Sequence, residues 1–92
     1  MNKQDILYIP DTSLISLIGD EMIALELDSG MYIEFNFVAG KIIELIRTNK
    51  KITYEKLLSK LSNLYDQDIS HIESDVKDFI NQAITKKIIK KK

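Results

Sequence analysis

The hydrophobic positions in the first third of the chain recur with the two-residue period of β-strands. They form three runs, at residues 13–18, 21–28 and 31–35. In the second run isoleucine and leucine occupy every other position, which is typical of a strand with one buried face. Gly19-Asp20 and Asp28-Ser29-Gly30 separate the runs as turns, and Gly30 is free to adopt a positive φ. The pattern predicts an antiparallel three-stranded meander.

From residue 36 onward the period changes to about 3.6 residues, which predicts three α-helices. The first is expected to extend to about Arg47, with Asn36 as an N-cap that accepts a hydrogen bond from a first-turn amide. Its apolar positions form a broad stripe, which predicts a mostly buried helix. They are Phe37, Val38, Ala39, Ile42, Ile43, Leu45 and Ile46.

Two further helices follow a polar break at residues 48–51. Thr53 is the predicted N-cap of the second helix, and Ser70 with Glu73 forms a predicted capping box for the third. The apolar face of the second helix carries Tyr54, Leu57, Leu58, Leu61 and Leu64. The third helix carries Ile72, Val76, Phe79, Ile80, Ala83 and Ile84 at helical spacing.

These elements predict an α+β fold in which a three-stranded antiparallel β-meander precedes three helices, an arrangement similar to a winged helix. We expect one domain over residues 1–92, with its core at about 13–89. Residues before 13 are expected to lack a regular element because Pro10 interrupts them. Ile88-Ile89 is expected to pack back on the core, and the surrounding lysines to form a solvated, frayed tail.

Composition and charge exclude several classes of protein. The 92 residues include no cysteine, which rules out disulfide scaffolds, thiolate zinc sites and cysteine catalysis. The net charge of −1 disfavours a nucleic-acid partner that needs a basic face. The start lacks a signal-peptide pattern, and no apolar run approaches the roughly 20 residues of a membrane span. A cytoplasmic protein without a membrane partner is therefore expected.

Residues that could carry catalysis are sparse. The lone His71 is predicted in an exposed helical turn without a second strong metal ligand spaced to join it. Asp66 and Asp68 resemble the start of a calcium loop, but the required glycine and closing glutamate are missing. The three glycines form no phosphate-binding motif. We expect no enzymatic activity, no metal and no cofactor.

The third predicted strand is the most informative segment, because it leaves one edge of the sheet free. Unpaired backbone groups along such an edge can capture an extended peptide. On the third predicted helix, Asp75, Phe79, Gln82 and Lys86 recur at i, i+4, i+7 and i+11 and so form one line. This line could be the opposite wall of a groove, with Phe79 as an apolar floor and charged ends. Alternatively, Phe79 is ordinary core and the other three are ordinary surface.

Two other functions fit the same elements. A winged-helix regulator would bind DNA through the third helix, but its outer face carries Glu73, Asp75 and Asp78, which repel phosphates. Two chains could instead pair their free edges as a homodimer. We therefore expect a monomer or a weak edge-paired dimer.

The order of these motifs resembles the PqqD-like proteins. The segment Leu25–Asn36 is similar to the family's strand, turn, aromatic strand and asparagine. Ala39, Ile42 and Leu45 fit its apolar helix, and Asp75–Ile80 fits its third helix. The resemblance covers about residues 13–89. The chain departs from the family pattern in having Phe35 before the asparagine and no tryptophan in the first helix.

The resemblance implies a recognition element for ribosomally synthesised and post-translationally modified peptides (RiPPs). Such domains bind the leader of a precursor peptide and present it to a leader peptidase, a cyclase or another modifying enzyme. The stand-alone proteins of lasso-peptide clusters are the favoured branch, and a PqqD-type chaperone for a radical enzyme is the alternative. The leader is expected antiparallel to the third strand, in its cleft with the third helix. The implied binding residues are Met31, Tyr32, Ile33, Glu34, Phe35, Asp75, Phe79, Gln82 and Lys86.

Overall fold

The computed structural model describes residues 1–18 and 21–92, and the predicted turn at Gly19-Asp20 lies outside the described residues. The first four strands are β1 (Ile6–Tyr8), β2 (Ser13–Ile18), β3 (Glu21–Glu26) and β4 (Tyr32–Phe35). They are followed by α1 (Phe37–Thr48), β5 (Lys51–Thr53), α2 (Tyr54–Tyr65), α3 (Ile69–Thr85) and β6 (Lys90–Lys91). The predicted α+β fold, with an antiparallel meander preceding three helices, is confirmed.

The meander has the strand order β2-β3-β4, and both pairs are antiparallel. The β3–β4 turn contains Gly30 at a φ of 74°, which confirms the predicted need for a residue that tolerates positive φ. The buried face of β3 is the one that carries Ala24 and Glu26. Leu27, which follows the strand, is 56% exposed. The polar Glu26 can lie on the buried face because its carboxylate accepts hydrogen bonds from the turn.

A second sheet, with the order β5-β1-β6, was not expected. This sheet shows that three expectations were wrong in part. They are the lack of a regular element before residue 13, the polar break at 48–51 and the frayed lysine tail. Residues 6–8 pair with residues 51–53 on one side and with Lys90–Lys91 on the other. The side chains of Leu7 and Ile52 bury themselves beneath this sheet, while the lysines of β6 remain exposed. Backbone pairing with β1 thus orders the lysine-rich end of the chain.

Two of the predicted helix caps are confirmed. The Asn36 side chain accepts a hydrogen bond from the Ala39 amide at 2.9 Å, and Thr53 accepts one from Lys56 at 3.2 Å. The predicted Ser70–Glu73 capping box is wrong, because α3 begins at Ile69 with Asp68 as its N-cap. The Asp68 backbone is extended, as is usual for an N-cap, and its side chain makes no capping hydrogen bond.

The core lies between the helices and the inner faces of both sheets. Ile42 and Ile46 of α1, Leu57 and Leu61 of α2 and Ile80 of α3 are each 2% exposed or less. Ile88 and Ile89 are fully buried, as expected for residues that pack back on the core. Three residues assigned to apolar stripes are exposed: Phe37 (63%), Val38 (44%) and Leu64 (55%). Phe37 borders a cavity between the meander and α1, Val38 borders a cavity between β4 and α3, and Leu64 lies in the last turn of α2.

Within the described ranges 1–18 and 21–92, no helix is long and apolar enough to span a bilayer.

Candidate functional site

The backbone of β4 is paired on one side only, because β4 is the last strand of its sheet. The Glu26 amide donates to the Met31 carbonyl at 2.7 Å, which makes this a hydrogen-bonded pair of the antiparallel ladder. Hydrogen-bonded and non-hydrogen-bonded pairs alternate along such a ladder. In the β3–β4 register, Ile33 therefore directs its amide and carbonyl toward β3. Tyr32 and Glu34 direct theirs toward the free edge.

The C-terminal end of α3 faces the free edge of β4 near Tyr32. The Lys86 Nζ donates to the Tyr32 carbonyl oxygen at 3.1 Å. This contact agrees with the ladder, because it requires the Tyr32 carbonyl to point away from β3 and toward α3. The sequence had placed Tyr32 and Lys86 on opposite walls of a groove, and the structure brings them into direct contact.

Farther along the groove, an aromatic pair joins β4 to α3. The ring centroids of Phe35 and Phe79 lie 6.0 Å apart with an interplanar angle of 60°, a tilted geometry that favours aromatic contact. Both rings are half-buried and pack against the core cluster. The two alternatives for Phe79 are thus both partly correct, because its ring supports the core and also borders the groove.

Two adjoining cavities form a continuous groove between β4 and α3. The first, about 510 Å³, includes Phe35, Asp75 and Phe79, and the second, about 620 Å³, includes Tyr32 and Lys86. Glu34 and Gln82 line both cavities, which therefore meet at the middle of the groove. All nine residues implied by the family resemblance border this groove: Met31, Tyr32, Ile33, Glu34, Phe35, Asp75, Phe79, Gln82 and Lys86. We refer to it as the β4–α3 groove.

Some lining residues were missed from the sequence. Asp78 lies three residues after Asp75, so helical spacing could have identified it. Val38 was assigned to the buried stripe of α1, yet it lies at the mouth of the groove. Gly30 and Thr85 line the opposite end; Thr85 lies three residues after Gln82, so the same spacing could have identified it, whereas Gly30 was predicted only as a turn residue.

The two faces of β4 differ in burial. Ile33 is 4% exposed and Phe35 is half-buried, so this face of the strand points toward the helices. Tyr32 is 55% exposed and Glu34 is exposed on the other face. A strand added to the edge would share these faces with β4, because directly opposed residues point to the same side of a sheet. Its alternate side chains would enter the groove beside Ile33 and Phe35.

Charge is unequally distributed along the β4–α3 groove. Asp75 and Asp78 line the cavity at the Phe35 end and both side chains are exposed, whereas the exposed Glu34 borders both cavities. Lys86 lies at the Tyr32 end. In the described part of the chain the side-chain ion pairs are Lys41–Glu44 and Lys91–Asp5, neither of which involves these four residues. The groove is therefore acidic at one end and basic at the other.

A buried carboxylate fixes the turn that leads into β4. Glu26 accepts hydrogen bonds from the Asp28 and Ser29 amides, at 3.2 and 2.7 Å, and from the Ser29 hydroxyl. The Ser29 hydroxyl, followed by these amides and the charge of Lys87, holds the pKa of Glu26 below its ordinary value. The ionised carboxylate thus stabilises the conformation of the turn that positions the free edge.

A third cavity, about 340 Å³, lies on the other side of Phe35, between the meander and α1. Ile15, Met22 and Phe37 supply much of its apolar lining. Among the described residues there is no group of three histidine, cysteine, aspartate or glutamate side chains that could hold a metal ion. His71 is exposed on α3, as predicted.

The fold and the groove together define a small winged-helix-like α+β domain with an open strand edge facing a helix. The sequence matches the family described as coenzyme PQQ synthesis protein D (PqqD) over residues 21–89. This match spans most of the chain, so the protein belongs to the PqqD family, as the resemblance predicted. Among curated proteins, no sequence matches.

The fold is also similar to a solved structure described as TbiB1 in complex with the TbiA(beta) leader peptide. The TM-score is 0.75 at 24% sequence identity, and the alignment covers 90% of this chain and 94% of that one. At this identity the likeness shows a shared fold.

Proposed function

We propose that this protein binds the leader region of a ribosomally synthesised precursor peptide by adding the leader as a strand to β4. The observation that carries the proposal is the free edge at Tyr32 and Glu34, whose outward backbone groups border a groove with an aromatic floor. Membership of the PqqD family and the fold shared with a protein solved with a leader peptide support it.

In the proposed complex the leader lies antiparallel to β4. Its backbone exchanges hydrogen bonds with Tyr32 and Glu34, each contributing about 0.5–1.5 kcal/mol. Its alternate side chains, those opposite Ile33 and Phe35, enter the groove and contact Phe79. The main chain then supplies affinity independent of sequence, while the groove supplies selectivity.

The proposed role is non-catalytic, over residues 1–92 as a single binding domain. By holding the leader, the protein presents the rest of the precursor to a leader peptidase or cyclase, and lasso-peptide biosynthesis is the favoured setting. A PqqD-type chaperone for a radical enzyme is the second candidate. Since precursors are made on ribosomes, the proposed site of action is the cytoplasm.

The groove favours a peptide over DNA or a second copy of this chain. Asp75 and Asp78 flank it on α3, and duplex phosphates would be repelled by these carboxylates. Edge-to-edge pairing of two chains would place two Lys86 side chains near the same interface, which like-charge repulsion disfavours.

The direct test is a titration of this protein into fluorescently labelled leader peptides from precursor genes encoded beside it, followed by fluorescence anisotropy. We expect saturable binding of one leader and none of its scrambled sequence. No saturable binding of any co-encoded leader would overturn the proposal. Addition of a co-encoded peptidase or radical enzyme to the complex then distinguishes the two settings, because only the true partner raises the anisotropy further.

A further inference from the structure

In the free protein, one of the two outward carbonyls of β4, that of Tyr32, already has a hydrogen-bond donor. Lys86 reaches across the groove from α3 to the Tyr32 carbonyl, with its Nζ at 3.1 Å. An incoming strand needs this same acceptor for one of its own amides. Strand addition at Tyr32 therefore displaces the Lys86 ammonium, which must find another partner or return to water.

We propose that Lys86 is a latch on the β4 edge and that it selects peptides with an acidic side chain in the Tyr32 end of the groove. This inference deepens the proposed function, on which it rests. In the closed state the ammonium occupies the Tyr32 carbonyl and protects the edge from unspecific pairing, a role that lysine plays at many sheet edges. In the open state a carboxylate of the peptide receives the displaced ammonium, so that the charge is not left without a partner.

The acidic end of the groove adds a second preference, for the order of basic and acidic residues along the peptide. Asp75 and Asp78 line the cavity at the Phe35 end and not the one that contains Lys86. An antiparallel peptide has its N-terminal part at Phe35 and its C-terminal part at Tyr32. A basic residue is therefore favoured toward the N-terminus and an acidic residue toward the C-terminus. The 11 residues from Asp75 to Lys86 rise about 16 Å along α3, a length that about five residues span in an extended strand.

The test begins with a displayed library of random 15-residue peptides, selected on the intact wild-type protein at physiological salt. We expect the enriched peptides to share an acidic residue four or six positions after a basic one, because an even spacing places both side chains on the groove face. A representative peptide, synthesised with a fluorescent label, should lose about 5- to 10-fold in affinity when its acidic residue is replaced by lysine, since an exposed ion pair becomes a repulsion.

The complementary change in the protein is Lys86→Glu. This substitution should lower the affinity for the acidic peptide by a similar factor and restore binding of the lysine-substituted peptide. Lys90→Glu is the matched control, because it makes the same charge change on exposed β6 and should leave both affinities unchanged. If Lys86→Glu fails to fold, Lys86→Gln and the peptide substitutions on the wild-type protein still measure the effect.

The amide NMR shifts of Tyr32 and Glu34 report strand addition itself, and so distinguish a failure of the Lys86 latch from a failure of the proposed function. Peptides that shift these amides but show no charge order, or that respond equally to Lys86→Glu and Lys90→Glu, overturn the latch and leave the proposed function intact. Enriched peptides that leave both amides unshifted, or the absence of any enriched peptide, overturn the latch together with strand addition.

Discussion

Replacing Glu34 by proline should abolish strand addition while leaving the fold in place. The ladder directs the Glu34 amide toward the free edge, so proline at this position removes no hydrogen bond to β3. Edge strands tolerate proline where the missing amide faces outward. The ring would, however, occupy the space in which the peptide carbonyl opposite Glu34 must lie.

The loss in affinity follows from the two hydrogen bonds that Glu34 and its opposed leader residue exchange. Each contributes about 0.5–1.5 kcal/mol, so the loss is about 1–3 kcal/mol, or about 5- to 150-fold in Kd. Glu34→Thr is the matched control, because it removes the same charge but keeps the amide and suits a strand. It should bind the leader far more tightly than Glu34→Pro does.

The assay is fluorescence anisotropy with labelled leader, with the melting temperature of each variant measured by circular dichroism. Ile33→Pro provides the contrast, because it removes an amide that points toward β3 and should destabilise the meander much more. Equal leader affinity of the Glu34→Pro and Glu34→Thr variants would refute strand addition at this edge. An N-methyl scan along the leader tests the same geometry independently, since affinity should fall at every second position.

Three further outcomes are expected. Phe79→Ala should weaken leader binding by about 1–2 kcal/mol, and because the ring is only half-buried it should cost less stability than the ~3–5 kcal/mol of a core phenylalanine, as measured by urea unfolding. Gly30→Ala should destabilise the protein by about 1–2 kcal/mol in the same assay, since nothing lies within 4 Å of an added Cβ and the cost is the positive φ alone. The pKa of Glu26 is lowered on folding, so its contribution to stability is complete above its ordinary value of 4.5 and is lost as pH falls through the lower folded value. Ser29→Ala should reduce this acid sensitivity in unfolding titrations at pH 2–6, and an unchanged pH dependence would contradict the assigned role of its hydroxyl.

The elements that the sequence predicted correctly are those long enough to show a period. Strands β2, β3 and β4 and all three helices have at least four residues of alternating or helical pattern. The second sheet was missed because its strands have two or three residues, too few for a period to appear. Its pairing depends on long-range contacts, such as Leu7 opposite Ile52, that no local pattern records.

The groove could be anticipated because its two walls each have a regular spacing. One edge strand and the line from Asp75 to Lys86 were sufficient to propose it, and the structure brings these residues together. The contact between Lys86 and the Tyr32 carbonyl could not be anticipated, because it depends on the position of α3 across the sheet. Which backbone groups of β4 point outward also required the β3–β4 register.

The most direct test of strand addition is amide hydrogen exchange, followed by NMR with and without a saturating cognate leader. In the free protein the Ile33 amide should be protected by β3, whereas those of Tyr32 and Glu34 should exchange rapidly at the open edge. With the leader bound, we predict strong new protection at Tyr32 and Glu34. Saturated binding that leaves both amides in rapid exchange would contradict the account.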